Sequence, residues 1–292
     1  MKILLAGGLA VLGVLATTSA QANPDVISRE YKLILDASRF HYQNEQSDVL
    51  SLMQEAEPAI EDAINRNVTG TATLDHDRQV RFFDTPGSCV LEQLGYSFRE
   101  RVENGASEVT LKFRSPDRYI ADFEDLSSST NGAESKLEAD VGATGGVPFK
   151  VLYSHSTKAP NSRKLNRMDD VHAHFPGFQN DYGLDDDLTL AVVGDLTVTE
   201  RVYRDVDIDL GQHDAEISIT LWYAGTPSGN PSPAVAEISF KYEDPSADYT
   251  RKVVNRARRA FDALRGLSDW VEPDGQTKTR FVYQYDSQFC QP

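Results

Sequence analysis

Five stretches of the chain alternate apolar with polar or charged residues at a period of two. Ser28, Glu30 and Lys32 oppose Arg29, Tyr31, Leu33 and Leu35. Arg99 and Arg101 oppose Phe98 and Val102. Glu108, Thr110 and Lys112 oppose Val109, Leu111 and Phe113. Lys136, Glu138 and Asp140 oppose Leu137, Ala139 and Val141, and Glu237, Ser239 and Lys241 oppose Ile238, Phe240 and Tyr242. Strand side chains point alternately to the two faces, so each stretch builds one apolar and one ionic face. An ionic face with both signs of charge is costly to bury unless it lines something wet. The pattern therefore predicts an α+β fold: an antiparallel closed β-barrel, or tunnel, with a charged lumen and an apolar outside flanked by a few helices. An apolar lumen suited to lipid is excluded, because Arg99, Arg101 and Lys112 fall together on the ionic side.

The remaining elements follow from period and punctuation. Residues 26 to 36 and 78 to 84 read as strands, the latter ending at the turn signal Asp84-Thr85-Pro86-Gly87. Residues 94 to 103 and 107 to 114 form a hairpin across Asn104-Gly105. Strands are predicted at 135 to 141, 149 to 154, 197 to 209, 214 to 223 and 235 to 243. Residues 47 to 66 and 246 to 266 carry apolar positions at helical spacing, with Leu50, Met53, Ile60 and Ile64 on one and Tyr249, Val253, Ala257, Phe261 and Leu264 on the other. Residues 156 to 188 have no clear period and read as a long excursion with one short helix. Residues 278 to 286 read as a last strand or an extended tail. No internal repeat or linker divides the chain, so residues 23 to 292 form one domain.

Charge narrows the partners. The 292 residues carry a net charge of −16, which repels nucleic acid from the general surface. Any anion must enter a local basic cavity. The first 22 residues have a basic start at Lys2, an apolar run from Ile3 to Leu15 and a closing Ala20-Gln21-Ala22. They read as a secretory signal peptide cleaved after Ala22, the alternative being a membrane anchor; the run falls short of the roughly 20 apolar residues a span requires. The expected location is periplasmic or extracellular, with no membrane span after cleavage. In that compartment Cys89 and Cys290 read as one disulfide, two unpaired buried thiols being the alternative.

Residues 82 to 118 read FFDTPGSCVLEQLGYSFRERVENGASEVTLKFRSPDR. With Phe83-Asp84-Thr85-Pro86, Phe98-Arg99-Glu100-Arg101 and Thr110-Leu111-Lys112, this run resembles the CYTH superfamily, the triphosphate tunnel metalloenzymes. Ser28-Arg29-Glu30-Tyr31-Lys32 stands where that family has Glu-x-Glu-x-Lys, and Lys136-Leu137-Glu138-Ala139-Asp140 is similar to its Arg-x-Glu-x-Glu strand. Glu237 to Lys241 stand where a late Glu-x-Glu strand is expected. The resemblance implies an eight-stranded tunnel and metal-dependent hydrolysis of a triphosphate or short polyphosphate with Mg²⁺ or Mn²⁺. It implies catalytic roles for Lys32, Lys112 and Glu30, phosphate binding by Arg99, Arg101, Lys112, Lys136 and Arg201, and metal binding by Glu30, Glu138, Asp140 and Glu237. Arg201 is preferred to Arg204 because it shares a parity with Asp205, Asp207 and Asp209. Arg forks match phosphate, and hard cations seek carboxylate oxygens. The sequence departs from the family at Ser28, Ser239 and Lys241, thinning the acidic half. The alternative function is a non-catalytic module that binds a phosphorylated or polyanionic ligand. Separately, His172-Ala173-His174 would place two imidazoles on one face of a strand as a weak transition-metal candidate.

Overall fold

The computed structural model describes residues 25–292; the signal-peptide reading falls on residues outside this range. Ten strands run β1 Ser28–Leu35, β2 Val68–Asp84, β3 Tyr96–Glu103, β4 Ala106–Ser115, β5 Glu134–Gly142, β6 Lys150–Asn161, β7 Ala191–Val192, β8 Val198–Asp209, β9 Asp214–Ala224 and β10 Val235–Glu243. The α-helices are α1 Glu45–Ile64, α2 Val90–Gln93, α3 Arg118–Phe123, α4 Met168–His174, α5 Pro176–Tyr182, α6 Arg251–Arg265 and α7 Lys278–Tyr285. Among the described residues no helix is long and apolar enough to cross a membrane.

Nine strands close into a ring in the order β3-β4-β6-β5-β1-β10-β9-β8-β2, with β2 returning to β3, while the two-residue β7 adds to the end of β2. The all-antiparallel expectation needs correction: β1 pairs with β5 in parallel, Glu30 opposite Asp140, and the other eight seams are antiparallel. The reason is arithmetic. Strand direction cannot alternate all the way round an odd-numbered ring, so a ring of nine needs a parallel seam where a ring of eight does not. That seam is made by strands far apart in sequence, as parallel pairs require.

The apolar positions face outward. Tyr31, Leu33, Ile219, Ile238 and Phe240 are buried against Val49, Leu52, Ala56 and Ile60 of α1 and Val253, Ala257 and Phe261 of α6. Tyr31 stacks on Phe240 at 4.8 Å between ring centres. Phe98, Val109, Leu111 and Leu137 are buried with Met168 and Val171 of α4 and Phe178 of α5. The helix α1 ends at Asn65, whose left-handed backbone returns its N–H to the Glu61 carbonyl. The hairpin joining β3 and β4 turns through Asn104 and Gly105, both at positive φ as a two-residue hairpin turn demands.

Three elements depart from the sequence reading. The strand expected at 78 to 84 starts at Val68, with bulges between Gly70 and Thr73 and between Leu74 and His76 that break its period. The excursion at 156 to 188 begins as a continuation of β6 to Asn161 and then holds two short helices. Residues 278 to 285 are a helix, capped by the Thr277 hydroxyl accepting from Arg280 N–H.

Candidate anion-binding lumen

The ring encloses a cavity of about 1110 Å³ lined by twelve Lys or Arg and ten Asp or Glu side chains. The interior thus carries an excess of cations within a chain of net charge −16. Register explains the convergence. Hydrogen-bonded neighbours place Lys136, Ser156, Lys112 and Ser97 in one row across four strands. Glu243, Ser28, Glu138, Ser154 and Arg114 form another.

At one side of the lumen Glu200 is 1% exposed. It accepts hydrogen bonds from Arg78 Nε at 2.6 Å, Arg101 Nε at 3.0 Å and Trp222 Nε1 at 2.8 Å. Against the upward push of burial, Arg101 and Arg78 hold its carboxyl well below the usual range. Arg99, beside them, has a buried Nε with no hydrogen-bond partner. Burial, and next the charge of Arg101, disfavour its charged form. One carboxylate therefore serves a group of guanidiniums, and Arg99 is left with a buried nitrogen that no acceptor meets.

Farther round, Glu30 and Asp140 sit directly opposite each other across the parallel seam. Lys32 Nζ bridges them, 2.8 Å from Glu30 Oε2 and 3.3 Å from Asp140 Oδ1. The second oxygen of Asp140 meets Ser154 Oγ at 2.6 Å, Lys112 Nζ at 3.3 Å and Arg114 Nε at 3.6 Å. Against burial, Lys112 and Lys32 hold Asp140 well below its ordinary value. Burial pulls the Lys112 ammonium down to about 8, opposed by Asp140 and assisted by repulsion from Arg114 and Lys32. Glu138 Oε1 takes the Ser28 hydroxyl at 2.8 Å and Lys136 Nζ at 2.8 Å.

The helix α7 covers part of the ring. Thr277, Lys278 and Thr279 at its start line the cavity. Lys278 Nζ lies 2.8 Å from Glu237 Oε1 and over the Trp222 ring. Val282 and Tyr283 pack among Val80, Phe82, Val198 and Trp222, and Tyr283 donates to Asp84 Oδ2 at 2.9 Å. Asp84 also accepts from the N–H groups of Thr85, Leu91 and Glu92. A disulfide joins Cys89 to Cys290 just beyond the helix.

Lys32, Arg99, Arg101, Lys112, Lys136, Glu30, Glu138, Asp140 and Glu237 all line the one cavity. Arg201 does not. It lies on the outer face, paired with Glu45 and Asp77 and stacked over Tyr42, with the Tyr203 hydroxyl on the same Glu45 oxygen. A bulge between Tyr203 and Val206 inverts the alternation, so Arg201 does not share a face with the later aspartates, and Arg204 lines the cavity instead. His172 and His174 lie on α4, not on a strand. His172 Nδ1 contacts Asp186, whereas His174 contacts Thr130 and Asn161, so they share no metal. Sequence reading missed Arg78, Glu200, Arg114 and Lys278. For Glu200 a signal existed: a lone acid between Val198 and Val202 on one face of a strand.

The resemblance implies Mg²⁺ or Mn²⁺, which need several carboxylate oxygens converging on one point. The residues do not fit. Each of Glu30, Glu138, Asp140 and Glu237 is already paired with an ammonium, and the Ser28 hydroxyl is committed to Glu138. Among the described residues, the one group of three His, Cys, Asp or Glu ligand atoms within 4.8 Å of each other is Cys89, Glu92 and Cys290, and its two sulfurs are bonded to each other. A disulfide offers no thiolate.

No family model matches the chain, and no curated protein matches it. Among solved structures, the chain is similar to a candidate adenylate cyclase from Bacillus halodurans, at 16% identity over 87% of this chain and 97% of that one, with a TM-score of 0.40. It is also similar to a candidate adenylyl cyclase from Hippeastrum with a dominant triphosphatase activity, at 14% identity over 88% and 95%, with a TM-score of 0.41. Likeness at this level says nothing about the site, whose chemistry rests on the side chains above.

Proposed function

We propose that the lumen captures a phosphate-rich small polyanion such as a triphosphate or short polyphosphate. The observation that carries this reading is Arg99: a buried guanidinium nitrogen without a partner, crowded by Arg101, Arg78 and Arg114. A cation in that state gains from an anion with several oxygens, which supplies the missing acceptor and relieves the repulsion. Lys112 and Arg114 on the neighbouring β4, and Lys136 on β5, line the same cavity and stand to hold further phosphates. The resemblance of residues 82 to 118 to triphosphate tunnel proteins points to the same ligand class.

Calorimetric titration of tripolyphosphate into the protein tests it. Saturable binding is expected, and Arg99→Met should weaken it by ~1.5–3 kcal/mol, about tenfold to a hundredfold, the usual worth of a charge-assisted hydrogen bond. Absence of heat with tripolyphosphate and with longer polyphosphate removes the reading.

A second reading, hydrolysis of the bound anion, is favoured by one feature: Glu30, Glu138 and Asp140 lie on paired strands beside Lys32, Lys112 and Arg114. In that reading the cations align the chain of phosphates and neutralise charge on the leaving group. The divalent ion would enter as part of the substrate. Phosphate release from tripolyphosphate supplied with Mg²⁺ or Mn²⁺ distinguishes capture from turnover, with Lys112→Ala expected to abolish release.

A further inference from the structure

We propose that the Lys32 ammonium is the resident cation of the lumen, standing between Glu30 and Asp140 where a divalent metal would otherwise be drawn, so that this protein keeps no metal of its own. The inference deepens the anion-capture reading and makes that capture independent of metal.

Two carboxylates directly opposite on one face of paired strands repel each other. Glu30 and Asp140 are such a pair. Something positive must lie between them, and Lys32 is the group that reaches both. Register makes room for it. The residue opposite Lys32 on β5 is Gly142, which has no side chain to compete for the space. The lysine can therefore fold back along its own strand toward residue 30. A metal would have to displace it. It would then find Asp140 Oδ2 already engaged by Ser154, Lys112 and Arg114. Ser28 adds nothing charged: its hydroxyl is bound to Glu138. A tethered ammonium differs from a metal in one useful respect. It cannot be stripped by a polyphosphate, which is itself a chelator of hard cations.

The test uses Mn²⁺ alone, titrated calorimetrically into chelator-treated protein, and tripolyphosphate titrated with and without EDTA. Wild type should take up no Mn²⁺ in the micromolar range and should bind tripolyphosphate equally in both conditions. Lys32→Met, which keeps the apolar stem, should tighten Mn²⁺ binding at least tenfold. Adding Glu30→Gln should reverse the gain, and Lys32→Arg should not produce it. Micromolar uptake of Mn²⁺ by wild type, lost in Glu30→Gln, would overturn the proposal. So would a folded Lys32→Met protein with no gain. The wild-type titration decides the matter even where the variant does not fold. Failure of tripolyphosphate to bind under either condition counts against anion capture alone, since the Mn²⁺ arm is read without any anion.

Discussion

Lys112 is the residue at which acidity should be felt first. Its folded value of about 8 lies below that of a free lysine, and burial is the leading cause. A bound anion favours the ammonium, so binding above pH 8 must take up a proton. Affinity for tripolyphosphate should be flat below about pH 8 and fall by up to about tenfold per unit above it. Lys112→Arg, always charged, should remove the slope; calorimetry between pH 6.5 and 9.5 reads both. The sign for stability is opposite. The unfolded chain holds this proton longer than the folded one, so the Lys112 term becomes more favourable to folding as pH rises through 8. Glu200 behaves as a carboxylate depressed by its partners, and its contribution is present above the unfolded carboxyl value and lost on acidification. Glu200→Gln leaves Arg78 and Arg101 without their shared counter-charge and should cost about 3–5 kcal/mol in urea unfolding, the usual result of orphaning a buried charge.

At the scale of elements, Arg201 and α7 make the sharpest contrasts. Arg201 holds the buried Glu45 on the outside of the ring. Arg201→Met should lower the free energy of urea unfolding by about 3–5 kcal/mol yet leave tripolyphosphate affinity within about twofold. A large loss of affinity in a folded variant would place Arg201 in the site after all. The helix α7 should show the reverse emphasis. Replacing both Cys89 and Cys290 by Ser removes the covalent tie beyond the helix, leaving α7 held by Val282, Tyr283 and the Tyr283–Asp84 hydrogen bond. A loss of about 2–4 kcal/mol is expected for a bridge closing so long a loop. Faster amide exchange should be confined at first to α7 and its neighbours.

How much of this was readable depended on what each strand touches. β1, β3, β4, β5 and β10 have a packed outer face and a wet inner one, so their alternation is clean and their lumen residues fall where the pattern puts them. The pattern fails where a bulge changes parity, as at Asp205, which misled the reading of Arg201 and Arg204. It fails again where apolar contacts come from distant chain. Lys278–Tyr285 reads as an extended tail because only Val282 and Tyr283 are deeply buried, too few to print a helical period. The parallel seam leaves no mark on β1 or β5, because direction is set by the closure of the whole ring. The disulfide was legible from cysteine count and expected compartment, whereas the ion pairs inside the lumen needed coordinates.

For the whole molecule, the opposition between a cationic interior and a net charge of −16 sets the course of binding. The outer field repels the anion that the interior favours. Added salt should therefore speed association by screening the approach, while also weakening the ion pairs formed inside. Stopped-flow measurements from 20 to 300 mM salt should show both rates rising; a falling association rate would mean that the mouth of the lumen, not the outer surface, governs entry.

The first strand of the ring is sealed on both flanks by segments made long after it, Glu134–Gly142 on one side and Val235–Glu243 on the other. A nascent chain leaving the ribosome therefore carries Ser28–Leu35 with one edge bare until Gly142 has emerged and the other until Glu243 has. Bare edges recruit other strands, and pairings so remote in sequence form slowly. The geometry that gathers charges from nine strands around one space thus makes the newborn protein dependent on being shielded from its neighbours until that last flanking strand is made.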